Sequence, residues 1–264
     1  MSEPGTTVRP GPPEEAGEAP ARRRIRRSTI LLVALAVVGG FAFATVFAYG
    51  VSRLSARSSH QVQYRPAGIP ASVSTSLAYL MQLSPVPHHP APPFTLTDQA
   101  GRPVSMSAFR GKTVVLTFMD SHCTDICPLV SREFIGAHKD LGAAARNVVF
   151  VAVNVNPYHN KVSDVASFSR AQRLDSIGAW YFVTGPVAAL RSIWNAYQVQ
   201  VEAPSRNADV LHTSLVYVID KNGRERYVAE PTVDHTKKGA SYLPPGQLAA
   251  WSRGIALVAR SVTP

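Results

Sequence analysis

At 264 residues the chain has room for one domain with appendages or two small domains, and its 45% hydrophobic content is enough for a sizeable core. The formal charge of +10 raises the question of nucleic acid. Much of it is the run Arg22, Arg23, Arg24, Arg26 and Arg27 beside an apolar stretch, and the remaining cations are scattered without a basic-aromatic pattern, which argues against a nucleic-acid binder.

Residues 1–27 read as a disordered, basic, cytoplasmic tail, rich in Pro, Gly and Glu before its arginines. From Ile30 to about Val51 no residue is charged, a run of about 22 residues and long enough to cross a bilayer as a helix. The arginines on its N-terminal side keep that flank in the cytoplasm, so residues 28–51 are expected to be a transmembrane helix with everything after them outside. A cleaved secretory signal competes, since Ala42-Phe43-Ala44 resembles a cleavage site. The run is long for a signal core, which favours an uncleaved anchor. Both readings export the main domain. No cysteine closes the run, which excludes a lipoprotein anchor, and Glu3, Glu14, Glu15 and Glu18 argue against a mitochondrial presequence. Residues 52–91 read as a Pro- and Ser-rich extracytoplasmic linker with a turn or two of helix near "LAYLMQL". His88 and His89 within it read as solvated, because a mobile segment holds a ligand poorly.

A regular pattern begins at about residue 92 and runs to 264. "FTLTDQAGRPVSM" carries two short strand-like runs around Gln99-Ala100-Gly101, a hairpin signal. "TVVLTFMD" is a β-branched apolar run, as expected of a strand buried on both faces. After the cysteines, Val130, Phe134, Ala137 and Leu141 fall at helical spacing, with Gly142 as the stop. "NVVFVAVNV" predicts a second buried strand, 162–174 an amphipathic helix, "AWYFVTG" a short or edge strand, and 186–197 another helix. "SLVYVID" and "RERYVAE" flank the turn Lys221-Asn222-Gly223, and Gly246 to Arg260 predicts a closing helix. Strand-helix-strand units imply a parallel or mixed sheet with helices on both faces. The expected class is α/β: a thioredoxin-like mixed sheet with flanking helices and an N-terminal β-hairpin, preceded by one transmembrane helix.

The only two cysteines, Cys123 and Cys127, sit in one five-residue window between a predicted buried strand and the helix after it. That is the layout of thioredoxin-like domains. A helix N-terminus offers partial positive charge and unpaired N–H groups. Both stabilise thiolate, the form that attacks disulfides or binds metal. Pro128 suits the first helical turn. A structural disulfide across so short a loop would stabilise little. A redox pair and a soft-metal site remain, and three intervening residues do not choose between them. His212, just before a predicted strand, lies where such a layout brings a loop beside the cysteines. Two thiolates and an imidazole suit Cu(I), and the imidazole also suits Cu(II).

With these residues together the chain resembles the SCO/SenC family of membrane-anchored copper proteins that assist cytochrome c oxidase assembly. The resemblance rests on "FTLTDQAGRPVSMSAFRGKTVVLTF", the Cys-x-x-x-Cys-Pro of "SHCTDICP", "WYFVTG", and a histidine before an apolar strand ending "YVIDKNG", over roughly residues 92–230. It implies that Cys123, Cys127 and His212 are copper ligands. Two residues depart from the family pattern. Thr124 stands where the family commonly has Pro, and Leu211 where it often has Asp before the histidine. Asp209 is a candidate substitute for that acid. "VNVNPYHN" resembles the family's strand followed by Asp-Pro, with Asn156 in place of the acid. His122 and His159 are expected near the site rather than on the metal.

The resemblance implies an extracytoplasmic copper metallochaperone in a bacterial cell membrane. It would deliver Cu(I) or Cu(II) to the copper-bearing subunit of cytochrome c oxidase and depend on a thiol reductant. The alternative is a thiol-disulfide oxidoreductase, with Cys123 attacking and Cys127 resolving. Whether the protein is an enzyme turns on that choice. A peroxidase is disfavoured because the loop lacks the Pro-x-x-x-Thr-x-x-Cys arrangement of peroxiredoxins.

Overall fold

A computed structural model describes residues 66–87 and 89–263. The predicted tail 1–27, the predicted membrane helix 28–51, the linker as far as residue 65, and His88 lie outside the described residues. Among the described residues no helix is long and apolar enough to cross a membrane.

A six-stranded mixed sheet organises the domain. In chain order its strands are β1 (Ser84–Pro85), β4 (Thr113–Met119), β5 (Val148–Asn154), β6 (Trp180–Val183), β9 (Val216–Ile219) and β10 (Glu225–Ala229), in the spatial order β1-β10-β9-β4-β5-β6. β4, β5 and β6 run parallel, and β9, β10 and β1 add on antiparallel. Every residue of β4 and β5 is buried, as their near-continuous apolar sequence requires. The period of two divides them between two cores. Val115, Met119, Phe150 and Ala152 face one core, and Val114, Leu116, Phe118, Val149, Val151 and Val153 face the other.

The first core is covered by α1 (Thr75–Leu80), α2 (Ile126–Leu141), α3 (Val162–Ala171) and α5 (Gln247–Val262), which contribute Ala78, Phe134, Val165, Phe168, Trp251 and Ile255. The second is covered by α4 (Val187–Ala196) and by the separate hairpin of β2 (Thr95–Thr97) and β3 (Pro103–Ser105). α2 carries the predicted residues Val130, Phe134, Ala137 and Leu141 on its buried face and ends at Gly142, whose φ is 51°. α2 and α5 pack closely. A Cβ at Gly136 would meet Ser252 of α5, so this glycine sets the approach of the two helices. Glu133 of α2 is buried here, its Oε2 lacks a hydrogen-bond partner among the described residues, and burial pushes its carboxyl up to about 8.

Two sequence expectations need correction. The helix predicted over 162–174 stops at Ala171, because Arg173 takes left-handed φ of 57° and a 3₁₀ turn then buries Leu174. The larger correction concerns the linker, predicted to run to residue 91. From Ile69 onward it belongs to the folded domain: Ile69, Val73, Ala78, Met81 and Leu83 enter the first core. Ser74 caps α1 by accepting the Leu77 N–H at 3.2 Å. β1 pairs with β10 despite Pro85, since a proline at a sheet edge forfeits no ladder bond that the core needs. Five apolar residues scattered among serine and proline are enough to dock this segment, at about 1.5–3 kcal/mol for each large side chain buried.

Candidate functional site

The cysteine loop leaves the C-terminal end of β4 through Asp120 and enters α2 at Ile126. Cys123 is half-buried, Cys127 is buried, and both are free thiols. Asp125, the N-cap of α2, makes no side-chain capping bond. Cys123 Sγ takes that role and accepts the Cys127 N–H at 3.3 Å. The neighbouring Cys127 thiol, with the N–H groups of Cys127 and Asp125, lowers Cys123 from its ordinary value to about 7 against the cost of burial. Cys127 keeps its own proton, its pKa pushed well above the ordinary value by its pairing with Cys123 and by burial. Cys123 is thus the sulfur that ionises first, with Cys127 keeping its proton beside it. The freed carboxylate of Asp125 turns outward to accept from Ser241 N at 2.9 Å and Ser241 Oγ at 2.7 Å, which lowers its pKa. Ser241 opens β12 (Ser241–Tyr242), which pairs with β11 (Asp234–His235). The cysteine loop is therefore tied to a hairpin from near the far end of the chain.

His212 lies on a separate ribbon, in which β7 (Val201–Glu202) pairs with β8 (Leu211–His212) and His212 registers with Val201. Its Nδ1 lies 3.1 Å from the Thr213 carbonyl. A carbonyl only accepts, so Nδ1 carries the hydrogen and Nε2 keeps its lone pair. Burial lowers the pKa of His212 and favours this neutral form. The ring borders a cleft of about 510 Å³ lined by Gln200, Val201, Glu202, Leu211 and Thr213.

Asp120 links the two halves. Its negative charge acts on Cys123, Cys127 and His212 alike. The carboxylate is buried, and its Oδ1 accepts from the His122 N–H at 2.7 Å and from Asn156 Nδ2 at 2.8 Å. Among the described residues, however, no group of three or more His, Cys, Asp or Glu is arranged to hold a metal ion as it stands. The two sulfurs are preassembled, whereas the imidazole comes from another element and would have to close on them.

Other predicted residues sort by position. His122 and His159 stack on each other with centroids 3.7 Å apart, beside Cys123. Asp209 is exposed between β7 and β8, and the acid that acts on the site is Asp120, which the sequence analysis passed over. Its signal was a lone carboxylate closing an apolar strand just before the cysteines. Leu211 is 64% exposed. Thr124 is exposed in the cysteine loop. His89 is held by backbone bonds, its carbonyl accepting from Glu225 N at 2.9 Å on β10.

Comparison with known proteins places these features among relatives. Residues 85–240 match the family model described as SCO1/SenC. The SCO1 protein homolog of Bacillus subtilis (strain 168) is 27% identical over 138 residues, covering 50% of this chain and 69% of the relative. The chloroplastic peroxiredoxin Q of Sedum lineare is 29% identical over 153 residues, covering 56% of this chain and 73% of the relative. Among solved structures, Arabidopsis thaliana ScoI with copper bound shares the fold with a TM-score of 0.51 at 20% identity, covering 66% of this chain and 99% of that one.

Proposed function

The chain belongs to the SCO1/SenC family, and from that premise we propose that it is a copper metallochaperone whose cargo is held by Cys123, Cys127 and His212. The observation that carries this reading is the donor set. An easily ionised sulfur at Cys123, a second sulfur at Cys127 that a bound ion would have to deprotonate, and a neutral imidazole with a free Nε2 lone pair are what a soft or borderline copper ion takes. The copper bound to a ScoI structure of the same fold supports it.

In this reading Cys123 takes the ion first, because it is the more readily ionised of the two sulfurs. Cys127 then surrenders its proton, and His212 closes the set from its ribbon. Delivery follows by ligand exchange with incoming donors of the copper-bearing subunit of cytochrome c oxidase, on the outer face of a bacterial membrane. The segment 28–51 is the proposed anchor. Since an exported compartment favours disulfides, a thiol reductant must keep the pair reduced. The test is copper binding by the reduced full chain. The wild type should retain about one copper per chain. Cys123→Ser and Cys127→Ser should each lose it, and His212→Ala should weaken it and alter the thiolate-to-copper absorption. Full stoichiometric binding by the double cysteine variant would sink the proposal.

A second reading draws on the same thiolate-thiol pair and on the likeness to peroxiredoxin Q. Cys123 thiolate would attack a client disulfide and expel one client thiolate. Cys127, deprotonated, would then attack the Cys123 sulfur of the mixed disulfide and release the second. The client gains two electrons and two protons, and a Cys123–Cys127 disulfide remains for the external reductant. Disulfide turnover without metal, in the presence of a competent reductant, distinguishes this role, and its absence counts against it.

A further inference from the structure

The loop that follows β5 contacts both halves of the proposed site. Asn156 sets its shape: Oδ1 accepts the N–H groups of Tyr158 at 2.9 Å and His159 at 3.0 Å, while Nδ2 donates to Asp120 Oδ1 at 2.8 Å. The His159 carbonyl accepts from Ser121 Oγ at 2.6 Å and from Asn154 Nδ2 at 2.9 Å. One side of the loop is thus fastened to the start of the cysteine loop by buried or half-buried bonds. The His159 ring adds its stack on His122.

The preceding residue reaches the ribbon. Tyr158 Oη donates to the Ala203 carbonyl at 3.2 Å, and the Arg206 guanidinium lies 5.9 Å from the centroid of the Tyr158 ring. Ala203 directly follows β7, whose Val201 registers with His212. Among the described residues no hydrogen bond joins 120–127 directly to 200–213. The ribbon pairs over only two residues per strand and has little stiffness of its own.

We propose that Tyr158 is a positioning residue for His212: it latches the β7–β8 ribbon to a loop that is itself fastened to the cysteine loop, so that the ribbon carrying the imidazole is kept beside the thiols. The inference rests on the copper-binding reading. It gives the loop after β5 a role distinct from ligation, because Tyr158 works through its bond to the ribbon.

The test is a double-mutant cycle on the reduced full chain. Cu(I) affinity is read by competition with a chromophoric chelator, and nitrogen coordination by electron paramagnetic resonance of a Cu(II)-loaded sample. Tyr158→Ala should weaken binding about tenfold, as loss of an outer partner of a metal ligand does, and should diminish the nitrogen signature. Tyr158→Phe keeps the ring under Arg206 and should lose less. It also guards against a folding defect, since only one hydroxyl is removed. The combination Tyr158→Ala with His212→Ala should bind no more weakly than His212→Ala alone, because both act through one ligand. Additive losses, or an unchanged nitrogen signature in Tyr158→Ala, would overturn the positioning role while leaving the copper site standing. A wild type indistinguishable from His212→Ala would instead remove the copper-ligand reading and the inference with it.

Discussion

The cysteine loop and the His212 ribbon are two ways of holding a functional side chain. The loop is set between a fully buried strand and a 16-residue helix, and Cys127 is 3% exposed. The ribbon has two residues in each strand and carries Leu211 at 64% exposure beside its histidine. One half is built into the core, and the other packs on its edge through Val201 and Val210. Under the proposed copper reading that division would suit a carrier, with the thiols as the fixed seat and the imidazole as the ligand contributed from a separate element.

The strongest way to break the comparison is to damage the fixed half. The Cys127 thiol is the largest cause of the low Cys123 pKa. Cys127→Ala removes it, so the titration of Cys123 should move up from about 7 toward its ordinary value. For an acid, a raised pKa means less thiolate at neutral pH. Alkylation of Cys123 at pH 7 should therefore slow several-fold relative to wild type, and copper binding should be lost. An alkylation profile that stays centred near 7 would show that the helix N-terminus, not the partner thiol, stabilises the thiolate.

The next largest effect concerns the helix that carries the fixed half. Glu133 is buried on α2 with a carboxyl pushed up to about 8, while unfolded it would titrate near 4.5. Between those values the unfolded chain gives up a proton that the folded chain keeps, so stability falls as pH rises and levels off above about 8. Glu133→Gln should flatten that slope and raise stability near pH 7 by a few kcal/mol. Denaturant midpoints across this range check it. A parallel shift at all pH values would assign the gain to packing instead. The ribbon should not respond, so the nitrogen signature of bound Cu(II) should be unchanged in this variant.

The same division explains what the sequence made legible. β4, β5 and α2 declare themselves by uninterrupted apolar runs and by Val130, Phe134, Ala137 and Leu141 at helical spacing. The cysteine pair could be placed on the fold from these patterns alone. The ribbon has no such signal. Two-residue strands leave no periodicity, and the bonds from Tyr158 to Ala203 and from Asp125 to Ser241 join residues 45 and 116 positions apart. The docked segment from Ile69 was hidden for a related reason, since its apolar residues are too few to form a pattern and acquire meaning only against α5 and β10. Local periodicity reveals long elements with a continuous buried face, while short pieces held by a few long-range contacts stay silent.

The smallest effect tests how far the adjustable half can be tuned. Leu211 stands beside His212 where a carboxylate is common in the SCO/SenC family, and its side chain projects into solvent at the edge of the His212 cleft. Leu211→Asp would put a negative charge beside the imidazole without filling any buried space. An exposed pair of this kind is worth about 0.2–1 kcal/mol, so Cu(II) should bind up to about fivefold more tightly. Cu(I), with half the charge, should gain less. Salt should erode the gain, because the charge is exposed. Affinities for both ions at low and high ionic strength decide the matter. If neither changes, the buried charge of Asp120 already sets the field at His212, and the exposed edge of the ribbon contributes only its shape.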